Sequence, residues 1–148
     1  MYMAEINKEI EQLNELINIA NDGKCGYENA VKDVSDATLK ELFTQYSNER
    51  ASMAVELKNE VLNLGGLPEK GGDTLGALHR TWMDIKSSVN GDNRVEVLKT
   101  CITGEEAAIK AYNEILDDSQ SNNLISRHLT IITTALTHLR SLEKSASS

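Results

Sequence analysis

Proline is all but missing from this chain: Pro68 is the only one in 148 residues. That removes the strongest breaker of helices and excludes a proline-rich tract. No apolar run reaches 18 residues, so no membrane-spanning helix is expected. The two cysteines, Cys25 and Cys101, show neither CxxC spacing nor a disulfide-scaffold pattern. A reducing, cytoplasmic setting is the simplest expectation. The opening stretch MYMAEINKEIEQL is acidic and amphipathic and lacks the pattern of a signal peptide. Positive charge is also short: the net charge is −8, and no Lys/Arg stripe carries interleaved aromatics. Nucleic acid and anionic membranes are therefore set aside as direct partners.

What is present is a repeated apolar spacing of three and four. The first stripe runs Ile6, Ile10, Leu13, Ile17, Ala20, Lys24, Tyr27, Val31, Val34, with Lys24 the one interruption. Its phase survives Gly23, so one long helix is expected. Ser35 or Asp36 can cap a second helix carrying Leu39, Phe43, Tyr46, Met53, Leu57 and Val61, which should stop at Gly65-Gly66. After GGLPEKGGD, a shorter helix over 74–89 has Leu75, Leu78, Trp82, Ile85 and Val89 on one face. A further helix carries Val95, Leu98, Ile102, Glu105, Ile109 and Tyr112. The last carries Leu124, His128, Ile131, Ala135 and His138, followed by a SASS tail expected to fray.

Two helical hairpins are thus separated by a crossover over about 65–92. Short loops force antiparallel neighbours, whereas a long one lets the third long helix begin where the second began. The expectation is one all-α domain over 1–148: a ferritin-like four-helix bundle with a long crossover containing a short extra helix.

Polar residues interrupt the stripes. Glu105 occupies an apolar slot. Glu49 fills the slot between Tyr46 and Met53, although Arg50 fits it equally well. Glu28 borders the first stripe, and His138 lies on the last. A core carboxylate is costly unless paired or neutralised. Counted along the helices, the four lie at levels differing by about 9 Å, which tilt and side-chain reach can absorb. They are candidate ligands for a divalent cation. Each also has a plainer reading. Glu105 suits a core glutamic acid hydrogen-bonded to a tyrosine or to His138, for which Glu105→Gln would be near-neutral. Glu49 or Arg50 suits an ion pair, Glu28 a solvated or salt-bridged residue, and His138 a hydrogen-bonded histidine. His128 and His79 are read as structural, and both thiols as small buried hydrophobes. Gly23, Gly26 and Gly104 permit either a kink at a site or close packing. No Ser-His-Asp spacing or phosphate-binding glycine loop is evident.

The stretches NDGKCGYENAVKDV, NERASMAVELKNEVLNLGG, GALHRTWMDIKSSV and GEEAAIKAYNEIL resemble an uncharacterised bacterial family of ferritin-like bundles, known as a domain of unknown function. The resemblance spans about residues 4–143. It implies the bundle fold and no defined reaction. The wider ferritin-like superfamily holds two irons with one Glu from each of two helices and Glu-x-x-His from each of the other two. Carried over, the lone carboxylates are Glu28 and Glu105. The first motif falls at Glu49–Ser52, with Ser52 in place of histidine. The second falls at Ala135–His138, with Ala135 in place of glutamate. Two of six ligands are replaced, which argues against a diiron oxidase or ferroxidase.

Two functional expectations follow. One is a non-enzymatic bundle that is stress-associated or partner-binding, with its protein partner undefined and homo-oligomers a candidate assembly. The other is a protein holding iron or another divalent metal at a reduced site of Glu28, Glu49, Glu105 and His138.

Overall fold

The structure is a computed structural model describing residues 2–69, 82, 94–117 and 121–147. Four long helices account for nearly all of them: α1 (Tyr2–Lys32), α2 (Ala37–Asn63), α3 (Arg94–Leu116) and α4 (Asn122–Ser147). No strand occurs among the described residues. The architecture is the ferritin-like four-helix bundle: α1 packs on α2 and α3, and α3 on α4. Of the expected crossover helix only Trp82 is described; the rest of 74–89, His79 included, lies outside the described residues.

The boundaries follow local chemistry. α1 runs unbroken through Gly23. Asp36 caps α2, its Oδ1 accepting from Thr38 N at 2.8 Å and Leu39 N at 3.1 Å. Across that turn Lys40 Nζ donates to Val31 O at 2.7 Å, covering a carbonyl at the end of α1. α2 ends in a Schellman motif: Gly65 N donates to Leu62 O at 3.0 Å and Gly66 N to Val61 O at 2.9 Å. Gly65 has φ 85°, a conformation that favours glycine. The chain then leaves along α1, where Asn14 donates to Leu67 O and accepts from Glu69 N. α4 continues to Ser147, into the tail expected to fray. The SASS tail contains no Gly or Pro to stop it earlier.

The core divides in two. One half gathers Leu13, Leu16, Ile17, Met53, Leu57, Tyr112, Ile125 and Ile132. The other gathers Tyr27, Leu39, Phe43, Tyr46, Trp82, Leu98, Cys101 and Leu139. Between the halves, buried side chains of α2 and α3 are charged: Arg50 and Glu105. Apolar packing does not explain this polar layer.

Candidate functional site

Arg50 and Glu105 are buried to within 2% of completeness, and they form an ion pair through Arg50 Nη2 and Glu105 Oε2. The same oxygen accepts from Tyr27 OH at 2.8 Å. The guanidinium carbon lies 5.9 Å from the Tyr27 ring centroid, adding a cation–π contact. Three helices thus meet on one carboxylate: α1 through Tyr27, α2 through Arg50, and α3 through Glu105.

Gly23 makes room for this arrangement. A Cβ there would lie 3.3 Å from Arg50 Nη1 and 3.4 Å from its Cγ. The arginine therefore lies across α1 at the glycine. Gly26 and Gly104 make room for a different side chain. A Cβ on Gly26 would come within 2.1 Å of the Trp82 indole, and one on Gly104 within 2.4 Å. Trp82, 1% exposed, is wedged between α1 and α3, with its ring 5.0 Å from that of Tyr27. All three glycines serve close approach by a large side chain.

Electrostatics agree with the geometry. Burial pushes the Glu105 carboxyl up, while Arg50 and Tyr27 pull it back without fully offsetting desolvation. Burial alone would lower Arg50, but the facing carboxylate holds it above its ordinary value, so the guanidinium stays charged. Burial, then Glu105, pushes Tyr27 well up, keeping its hydroxyl protonated as a donor. Glu105 Oε1 is buried and has no hydrogen-bond partner among the described residues.

The other expected ligands lie elsewhere. Glu49 is only half-buried, because the slot it shared with Arg50 is taken by the arginine. Glu28 faces outward and pairs with Lys24 at 3.5 Å. His138 is exposed, its Nδ1 3.1 Å from Tyr46 OH. Among the described residues no three His, Cys, Asp or Glu side chains gather in a way that could hold a metal. Cys101 is buried as expected, but Cys25 is exposed.

A second polar network joins α2, α3 and α4. His128 is fully buried, with Nδ1 3.3 Å from Tyr112 OH and Nε2 3.0 Å from Glu56 Oε1. Glu56 also takes both terminal nitrogens of Arg127, at 3.2 and 2.5 Å. Burial pushes the His128 imidazole down, and Glu56 only partly restores it. Nε2–H therefore donates to the carboxylate while Nδ1 accepts from the tyrosine. A signal for this pairing was present in the sequence: Tyr112 and His128 both occupy apolar stripes of helices joined by a short turn.

The ferritin-like fold raises the question of a diiron centre, and the interior does not fit one. Among the described residues Glu105 is the one carboxylate in the layer between the two core halves, and a guanidinium already neutralises it. One oxygen of that carboxylate, Oε1, is left open.

Solved structures share the fold, among them the following three. A bacterioferritin of Desulfovibrio desulfuricans, described with a diiron site, superposes with TM-score 0.78 at 18% identity. The match covers 95% of this chain and 81% of that one. A ferritin-like diiron-carboxylate protein from Bacillus anthracis gives 0.74 at 20% identity, covering 94% and 97%. A dodecameric thioferritin from Bacteroides fragilis gives 0.76 at 17% identity, covering 96% and 88%. A search of the curated proteins finds no match. Residues 8–118, more than half of the chain, match the family described as "Domain of unknown function (DUF2383)", and the chain belongs to that family.

Proposed function

We propose that this chain is a non-enzymatic ferritin-like bundle that works by binding a protein partner. The observation supporting this most strongly is the Arg50–Glu105 pair at the centre of the bundle. An arginine side chain cannot shed its proton in a protein. The interior thus carries a permanent built-in cation beside the carboxylate that a metal would need. Trp82 fills the neighbouring space between α1 and α3. Among the described residues Glu105 is fully enclosed, at 0% exposure, which disfavours catalysis there. Assembly into a homo-oligomer is compatible with this role, as one neighbour of the same fold is described as dodecameric.

A second reading has one observation in its favour. The buried, unpartnered Oε1 of Glu105 could accept a single divalent cation, with Glu49, His138 or Glu28 supplying further ligands after rearrangement. Two measurements separate the readings. Protein produced with excess iron is assayed for metal content, and oxygen consumption is followed on adding ferrous iron. The proposed role predicts substoichiometric metal and no protein-dependent oxygen uptake. One or two tightly held metal ions per chain would overturn it.

A further inference from the structure

The two open seams of the bundle are treated differently. The α1–α3 seam is closed by Trp82, which enters between Gly26 and Gly104. The chain leaving α2 also runs along α1, held by Asn14. The α2–α4 seam has no such cover among the described residues. Among the described residues it is bridged at intervals, by Glu60 to Ser121 at the start of α4, by Glu56 to Arg127 and His128, and by Tyr46 to His138.

Between those bridges lies a trough of about 590 Å³, walled by Glu41, Glu49 and Glu56 and floored by Met53 and Ile131. A second hollow of about 230 Å³ shares Glu41 and Gln45 with it and extends it to Asp36, Leu42 and Leu142. Along α2 the combined trough runs from residue 36 to 56, about 30 Å at the helical rise. That length suits a helix of about twenty residues.

Charge decides what kind of helix. Both arginines lining the trough are already engaged, Arg94 by Asp36 at 3.2 Å and Arg127 by Glu56 at 2.5 Å. Glu41 and Glu49 have no ion-pair or hydrogen-bond partner among the described residues. The charge left over in the trough is therefore negative, above an apolar floor. A second copy of this chain, itself at net −8, is a poor complement. We infer that the α2–α4 trough docks a basic amphipathic helix of a partner protein, its apolar face on Ile131, Leu42 and Leu142 and its Lys/Arg side chains on Glu41 and Glu49. The mode is helix-in-groove recognition, and the inference rests on the partner-binding role above.

The test uses an 18-residue fluorescein-labelled Leu/Lys amphipathic peptide, with a Leu/Glu peptide of the same pattern as control, read by fluorescence anisotropy. The Leu/Lys peptide should bind and the Leu/Glu peptide should not. Glu41→Gln/Glu49→Gln should weaken binding about tenfold, as expected for two rim charges. Glu11→Gln/Glu15→Gln, on exposed positions of α1, should change it less than twofold. Amide NMR shifts on titration should be confined to residues 36–56, 94 and 127–142. Equal weakening by both pairs, shifts spread over the acidic surface, equal binding of the two peptides, or no Leu/Lys binding would each overturn the inference. So would a dimer in sedimentation that Ile131→Glu dissociates, since the trough would then be the chain's own interface. Metal in the interior would sink the proposed role of the previous subsection while leaving these binding ratios readable.

Discussion

Removing either member of the buried pair should be costly, and the two costs should respond differently to pH. Glu105→Gln leaves the Arg50 guanidinium at 2% exposure with no anionic partner. Such a half-broken buried pair typically loses about 3–5 kcal/mol. Arginine cannot neutralise itself, so the variant has no pH between 5 and 8 at which shedding that stranded charge recovers stability. Arg50→Met leaves Glu105, which can escape by taking a proton. From an ordinary carboxylate value of 4.5, holding it protonated at pH 7 costs about 3.4 kcal/mol, and at pH 5 about 0.7 kcal/mol. The sign follows from linkage: the folded carboxyl of the variant binds a proton that the unfolded one has released. Stability is therefore lost as pH rises above 4.5 and recovered as it falls. Replacing both, as Arg50→Met/Glu105→Leu, should be near-neutral or stabilising, because no charge is left to desolvate. Urea unfolding of the wild type, the two single variants and the double variant at pH 5, 6, 7 and 8 supplies the data. A near-neutral Glu105→Gln, which the sequence alone leads one to expect, would refute the pairing. So would a double variant whose loss equals the sum of the single losses.

Trp82 is the chain's only tryptophan, so its fluorescence reports on its slot. Trp82→Ala should cost about 3–5 kcal/mol. Gly104→Ala should red-shift the emission and destabilise, yet become neutral or stabilising by up to about 1 kcal/mol once Trp82 is alanine; a blue emission unchanged by Gly104→Ala would contradict the wedge. For His128, burial lowers the folded pKa below the ordinary 6.5, so the folded state binds fewer protons than the unfolded. Its contribution should be complete above 6.5 and fall away as the pH drops below it, a slope that His128→Gln should remove; an unchanged slope would show that the ring is accessible. Finally, Ellman's reagent should titrate one thiol, the exposed Cys25, in the native protein and two after denaturation, because Cys101 is buried and its thiol is pushed well up. Two rapid native thiols would show α3 opening.

Much of the fold was legible because its signals are local. Asp36 two residues ahead of Thr38, and Gly65-Gly66 after an apolar stripe, mark helix ends by rules of capping alone. The bundle topology followed from two short connections and one long one. The interior was harder to read. Glu49 and Arg50 fit the helical period equally well, as three-then-four or four-then-three. What decides between them is a contact across 27 residues of chain: Gly23 offers Arg50 a path that no Cβ obstructs. The period also cannot say that Glu105 already has a cation, so its neighbourhood read as a depleted metal site. His128 is buried on its stripe, but its bond to Glu56 lies 72 residues apart in sequence and has no periodic trace.

The central claim is that a guanidinium occupies the electrostatic role that a metal would have in this interior. It is tested most directly by thermal unfolding of the wild type and Glu105→Gln, each with EDTA and each with added iron, manganese or zinc. Any ligand of the native state raises its stability by linkage. The account predicts that neither chelator nor metal moves the wild-type midpoint beyond experimental scatter, while Glu105→Gln lowers it by about 6–20 °C in every condition. A metal-induced rise of several degrees in the wild type, reversed by EDTA and lost in Glu105→Gln, would contradict the account.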